Sequence, residues 1–481
     1  MKLPILDEVP IPEPLKDPVD HSDLEHRELD DSEFWREIPA FHQVDADEFL
    51  DYRFQNRNSA RSSQDLKDLL GDRVSDAFLE DVEEGMRQAS MAMRISPYIL
   101  SLVNWGDPYH DPLRIQFIPV ASTRLPDHPA LTLDSLHEQA DAPTPGLVHR
   151  YLDKVLFLPL DVCPVYCRFC TRSYAIGTDT DEVEKVDFKP ARDRWDRAFA
   201  YLTSRPEVED VVVSGGDTYM LPPQHVRYIG ESLLAIPHIR RIRFASKGPA
   251  VMPMKILTDE GWTDTLVDLA EKGRAMHKEV VLHTHFNSPN EITAITRRAT
   301  DLLFERGVKV RNQSVLIRGV NDDIEDMTTL VRRLSYINVQ PYYVYQHDMV
   351  LRVEELRTRV ADTVEIERHV RGTTAGFNTP TFVVDAPGGG GKRDVHSHDY
   401  YDETTGTSVY RSPSVDERRV YLYFDPIDLL PEEGRARWEI PEERPVMVEE
   451  ALAEAGLEDL EPATTLAEPS EAPAATIAIG S

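Results

Sequence analysis

From Val155 onward, short apolar runs alternate with amphipathic stretches. The apolar runs at residues 155–158, 211–213, 239–245, 280–283, 308–316, 339–345 and 381–384 predict strands. Between them, Trp195, Ala198, Phe199 and Leu202, and again Ile324, Met327, Val331 and Leu334, recur at the helical period and predict helices that lay an apolar face on a sheet. That rhythm predicts βα units around a parallel sheet, curled by right-handed crossovers into a partial or full barrel over residues 148–392. Ahead of it, residues 31–147 read as a mainly helical domain, with Phe78, Val82 and Met86, and Ala89 on the same side, at helical spacing. Residues 1–30, with Pro10, Pro12, Pro14 and Pro18 among acidic residues, are expected to form a loosely ordered arm. Residues 393–460 form a C-terminal extension, and 461–481, rich in Ala, Pro, Glu and Thr, a disordered tail.

Charge narrows the partners. Lys plus Arg number 53 against 85 Asp plus Glu, a net charge of -32, so phosphate backbones would be repelled and nucleic acid is not an expected partner. The sequence has neither an apolar run long enough to span a membrane nor a basic-then-apolar N-terminal segment. A cytoplasmic protein with no membrane partner is expected.

The candidate chemistry begins with the cysteines. The chain has three, all within Cys163-Pro164-Val165-Tyr166-Cys167-Arg168-Phe169-Cys170, directly after an apolar strand. Three thiolates on one tight loop can hold three irons of a [4Fe-4S] cluster and leave the fourth open. A zinc knuckle would ask for a fourth ligand, and no second cysteine pair exists; His149, the nearest histidine, precedes the strand. The second feature is Asp385-Ala386-Pro387-Gly388-Gly389-Gly390-Gly391-Lys392, where a strand runs into four glycines and a lysine. Four residues without β-carbons let a backbone approach a ligand closely, and the lysine is a candidate for a Schiff base with pyridoxal phosphate (PLP). Alone, such a run fits a flexible surface turn better; together with the cysteine triad, the cofactor interpretation is favoured.

These blocks, with His149-Arg150-Tyr151, Cys170-Thr171-Arg172, Ser214-Gly215-Gly216-Asp217, Thr284-His285-Phe286-Asn287, Asn312-Gln313-Ser314-Val315 and Pro341-Tyr342-Tyr343-Val344-Tyr345 with Asp348, resemble the lysine 2,3-aminomutase family from about residue 30 to 426. The resemblance implies an α/β fold: a radical S-adenosylmethionine (SAM) partial (β/α)6 TIM-like barrel with an N-terminal helical domain and a C-terminal extension. By position it implies that Cys163, Cys167 and Cys170 bind the cluster, and that Gly215, Gly216, Asp217, His285 and Gln313 contact SAM. It places PLP against Arg150, Tyr151, Lys154 and Tyr345, with Lys392 as the catalytic Schiff-base lysine. Arg172 would grip the substrate carboxylate, and Asp348 and Asp385 would receive a distal ammonium. The implied reaction moves the α-amino group of a basic L-amino acid, lysine before arginine, to the β-carbon, with an electron donor such as flavodoxin or ferredoxin and a homo-oligomeric assembly.

Lys154 and Lys247 stand where the family has Arg, Thr218-Tyr219 follows Asp217 where Pro-Leu is usual, and Ser173 follows Arg172 where another Arg is usual. The departures around Arg172 and Asp217 leave room for dehydration or elimination on the same cofactors; a protein-directed lysine-modifying member is a third option. Individual residues also have purely structural alternatives. Asp385 could cap the glycine loop, Asp348 could pair with Arg352 or Arg357, His285 could be a core histidine, and Gly215-Gly216 could be a steric turn.

Overall fold

The computed structural model describes residues 21–464 and residue 466. Its main sheet has nine strands in sequence order: β1 (Leu147–Val148), β2 (Lys154–Phe157), β3 (Asp210–Val213), β4 (Arg241–Ala245), β5 (Glu279–Thr284), β6 (Val310–Val315), β7 (Val339–Tyr345), β8 (Thr381–Ala386) and β9 (Gly391–Asp394). Strands β2 to β8 pair in parallel, each with the next, while β1 and β9 are antiparallel to their neighbours and form the two edges. The result is a curled half-barrel, open between those edges. All seven expected strands occur; those expected at 239 and 308 start at Arg241 and Val310, after the turns that follow the preceding helices, and the second ends at Val315.

Period-2 alternation explains the strands' two faces. In β4 the pattern Arg241-Ile242-Arg243-Phe244-Ala245 buries Ile242 and Phe244 under the helices and turns Arg243 and Ala245 into the lumen. In helix Arg192–Thr203, Trp195, Ala198, Phe199 and Leu202 are all buried on the sheet. In helix Ile324–Tyr336, Met327, Val331 and Leu334 are buried, whereas Ile324 in the first turn is exposed.

The N-terminal segment contains short helices rather than long ones, up to Pro112–Phe117; residues 118–146 run as turns and bends. Helix Asp76–Arg87, capped by the Ser75 side chain, buries Phe78 and Val82, leaves Met86 partly buried, and ends before Ala89. These helices share one continuous apolar core with the barrel. They also hold the cysteine loop. The Tyr166 and Arg168 amides donate to the Arg94 and Gln116 carbonyls at 3.0 and 3.0 Å, and Arg94 Nη1 donates to the Cys163 carbonyl at 2.9 Å.

Strands β10 (Tyr400–Asp402), β11 (Thr407–Ser412) and β12 (Asp416–Phe424) form an antiparallel meander, backed by helices Glu432–Glu439 and Glu443–Ala455. Strand β13 (Glu461–Pro462) adds to β12 in parallel, so the start of the stretch expected to be disordered is a sheet edge instead. The remainder of that stretch, apart from residue 466, lies outside the described residues. Of the N-terminal arm, the described part contains a 3-10 helix, His21–Arg27, and residues 1–20 lie outside. Among the described residues no helix is long and apolar enough to cross a membrane.

Candidate active site

A cavity of about 470 Å³ opens on the lumen of the half-barrel, and every expected site residue lines it. Most of them lie at or just past the C-terminal ends of the parallel strands, the end at which barrel enzymes gather their sites. Arg150, Tyr151 and Lys154 are exceptions, coming from the turn before β2 and its first residue.

The loop after β2 brings Cys163, Cys167 and Cys170 to the wall as free thiols. Burial pushes all three up, Cys167 to about 12, and at Cys163 the Asp217 carboxylate adds to it. Thiolate formation there needs a compensating cation, which a metal supplies as protons leave. Among the described residues no three His, Cys, Asp or Glu side chains converge as a set for a single metal ion. A cluster does not ask for that, since each thiolate takes its own iron.

Gly215 and Gly216, after β3, are explained by this loop. A β-carbon on Gly215 (φ +84°) would fall 2.3 Å from the Leu160 carbonyl oxygen, and one on Gly216 2.5 Å from Val162 backbone atoms. Two hydrogen bonds, Gly216 N to Leu160 O at 2.6 Å and Asp217 N to Val162 O at 2.9 Å, clamp the turns together. Their steric role is therefore real, and they also line the cavity. Gly216→Ala should displace the cysteine loop, costing about 1–3 kcal/mol of stability. Thermal unfolding together with iron content checks this, and an unchanged Tm with full iron loading would contradict it.

Asp217 is buried, accepting the Tyr219 and Lys247 amides at 2.8 and 2.7 Å, and burial raises its carboxyl to about 6. Lys247 Nζ donates to the His285 carbonyl at 2.7 Å and pairs with Glu291 at 2.9 Å. Burial, then the Lys247 charge, hold His285 well below the usual histidine range, so its ring is neutral. The ring lies on Phe169 of the cysteine loop, centroids 5.8 Å apart, and Nε2 has no partner among the described residues. Gln313, in β6, faces the same space.

On the opposite side, Pro387 and Gly388 to Gly390 make the hairpin turn between β8 and β9, Gly391 opens β9, and Gly388, Gly389 and Gly391 have φ of +81°, +93° and +72°. What approaches most of them closely is protein. Added β-carbons at Gly388, Gly390 and Gly391 would lie 2.7 Å from the Ala463 carbonyl, 2.5 Å from the Tyr421 ring and 2.2 Å from the Tyr151 hydroxyl. Antiparallel register sets Lys392 directly opposite Asp385, and Nζ meets Asp385 Oδ2 at 3.1 Å. Burial alone would push the Lys392 ammonium down, but Asp385 and the Tyr345 and Tyr151 hydroxyls hold it well above the usual range. The Lys392 amide donates to the Tyr151 hydroxyl at 2.9 Å, and Nζ stands 5.4 Å from the Tyr345 ring centroid. Lys154 Nζ lies 4.1 Å from the Tyr151 ring centroid, and Arg150 is tied to Asp141 at 2.7 Å.

The structural alternatives for the two aspartates fail. Asp385 Oδ1 has no partner among the described residues, and Oδ2 meets Lys392, so neither caps the glycine turn; Arg352 pairs with Glu182 and Arg357 with Glu354, leaving Asp348 to neither. Burial first, then Asp385, push the Asp348 carboxyl well above the usual carboxylate range. Asp385 already holds the Lys392 ammonium, and Asp348 beside it, without an ion pair among the described residues, is the carboxylate open to a further cation. Arg172 differs from expectation in one respect: a carboxylate already forks it. Glu138 accepts from Nε at 2.9 Å and Nη2 at 2.6 Å. Glu138 had no sequence signal, lying in the turn-rich segment without periodicity.

The family model described as Lysine-2,3-aminomutase matches residues 366–409, which carry β8, the glycine turn and Lys392. An L-lysine 2,3-aminomutase from Clostridium subterminale is 39% identical over 398 residues, 82% of this chain and 89% of that protein. One from Acetoanaerobium sticklandii is 41% identical over 74% of this chain and 80% of its own length. A glutamate 2,3-aminomutase from Clostridioides difficile is 34% identical over 62% of this chain and 66% of its own. Similarity at this level across most of both chains, with the matched segment carrying Lys392, means that the chain belongs to the lysine 2,3-aminomutase family of isomerases, which catalyse amino-group migration.

Proposed function

We propose that the protein moves the α-amino group of a free basic L-amino acid, lysine before arginine, to the β-carbon with a [4Fe-4S] cluster, SAM and PLP. One observation carries this: a single cavity is lined by the three cysteines and by Lys392, Arg172, Asp348 and Asp385. When bound, SAM at the reduced cluster supplies a carbon radical that abstracts hydrogen from an unactivated carbon, and PLP supplies an electron sink beside the migrating nitrogen.

The chain's own residues do the rest. Cys163, Cys167 and Cys170 would hold the cluster, and Gly215, Gly216, Asp217, His285 and Gln313, which line the same cavity, would hold SAM. The neutral His285 ring offers its Nε2, which has no partner among the described residues, to a polar group there. Lys392 is the amine that holds PLP, with Tyr151 and Tyr345 beside it and Arg150 and Lys154 for the phosphate. Lys154 acts as a point charge where an arginine would fork. Arg172 takes the substrate carboxylate, and Asp348 with Asp385 takes the distal cation; holding both ends fixes the reacting carbons against the radical source. A glutamate side chain would add a third carboxylate to that pair, which disfavours the acidic substrate of the C. difficile relative. An electron-transfer protein such as flavodoxin or ferredoxin reduces the cluster, and the working protein is a homo-oligomer.

Anaerobic reconstitution tests the metal half: about four irons and four sulfides per chain are expected, with SAM cleavage on adding dithionite. Stoichiometric zinc with little iron would contradict it.

A further inference from the structure

We propose that Glu138 is the positioning residue for substrate carboxylate recognition: it fixes Arg172 so that only the outer edge of the guanidinium is presented to the substrate. The proposal rests on the assignment of Arg172 to the carboxylate and goes beyond it by naming what aims the arginine. A guanidinium offers two forked faces, one from Nε and Nη2 and one from Nη1 and Nη2. Glu138 fills the first completely, Oε2 accepting from Nε at 2.9 Å and Oε1 from Nη2 at 2.6 Å. Tyr174 locks Glu138 in turn, its hydroxyl donating to Oε2 at 3.0 Å. Among the described residues Arg172 Nη1 makes no hydrogen bond or ion pair. Glu138 and Tyr174 are both buried, while Arg172 keeps part of its surface, and Glu138 and Arg172 both line the cavity.

The same geometry has a consequence for selectivity. The Arg172 charge is felt at Asp348, a cavity carboxylate that, like Asp217, has no ion pair among the described residues. An arginine released from Glu138 would have that carboxylate as an alternative partner, and would then occupy the distal-cation site instead of the substrate. Glu138 therefore keeps the two ends of the pocket apart, one anion-binding and one cation-binding. Its negative charge also weakens the net pull of Arg172 on a carboxylate. Geometry and charge thus predict opposite signs for its removal, and the sign is measurable.

The test uses the anaerobic holoenzyme without reductant, titrated with lysine and with 1,5-diaminopentane, which is lysine without its carboxylate, while the absorbance of bound PLP is followed. The readout is the ratio of the two dissociation constants. Glu138→Gln preserves shape but opposes an amide donor to an arginine donor, and should reduce the preference for lysine about tenfold or more. Tyr174→Phe, which leaves the fork intact but unlocks it, should shift the ratio the same way by about two- to fivefold, and serves if the first variant does not fold. Arg172→Gln should abolish the preference. An Arg172→Gln ratio equal to wild type would remove the carboxylate assignment itself. If Arg172→Gln collapses the ratio while Glu138→Gln leaves it unchanged, weakens both ligands equally or strengthens lysine, the assignment stands and the positioning role of Glu138 is overturned.

Discussion

Lys392→Ala should lower formation of rearranged amino acid by on the order of 10³-fold or more, while iron content and slow reductive cleavage of SAM persist. The asymmetry follows from where the residue sits. Lys392 is held by the β8–β9 hairpin, with its amide on the Tyr151 hydroxyl and its Nζ on Asp385, and the cysteine loop is held separately by Arg94, Gln116 and the Gly215-Gly216 turn. Removing the lysine amine leaves the cluster's supports untouched. The absorbance of PLP attached to the protein should disappear, and borohydride should no longer fix PLP to the chain. Full turnover by the variant without an added amine would make the lysine incidental.

Asp348→Asn and Asp385→Asn should each lower kcat/KM for the basic substrate by on the order of 10²–10³-fold, since truncating one partner of a buried charge pair costs about 2–5 kcal/mol. Apolar contacts along the substrate chain cannot compensate, at about 0.8 kcal/mol per methylene. Iron and PLP content should not change. A proton signature accompanies the affinity. Asp348 holds its proton to higher pH than a free carboxyl because burial and Asp385 disfavour its charge. A substrate ammonium favours the ionised form, so binding should release protons, and affinity should weaken as pH falls and the carboxyl must be stripped of its proton first. Calorimetry of lysine binding in buffers of different ionisation enthalpy measures the release, and Asp348→Asn should abolish it. Wild-type kcat/KM in both variants would remove the distal-cation assignment.

The strands were legible because the face they bury under the helices writes short apolar runs between amphipathic stretches, and the site because its blocks sit where those runs end. Side-chain commitments were less so. Arg172 and Glu138 lie 34 positions apart, and nothing periodic marks the turn that carries Glu138, so the fork is visible only in three dimensions. The glycine run was legible as a close approach but not for its partners: Ala463, Tyr421 and Tyr151 come from distant segments. Composition misjudged residues 461–464 for a related reason. A short polar segment with no core of its own is ordered by the open edge of β12, where the Ala463 amide meets the Val420 carbonyl at 2.8 Å.

Product analysis tests the proposed chemistry most directly. The reconstituted protein is incubated anaerobically with SAM, PLP and dithionite, and with lysine, arginine, ornithine or glutamate in separate reactions, each followed by nuclear magnetic resonance and mass spectrometry. The proposed chemistry requires a β-amino isomer of unchanged mass from lysine, or failing that from arginine, with glutamate inert. SAM cleavage without any β-amino isomer of a basic amino acid, a product lighter by one water, or glutamate as the best substrate would contradict it.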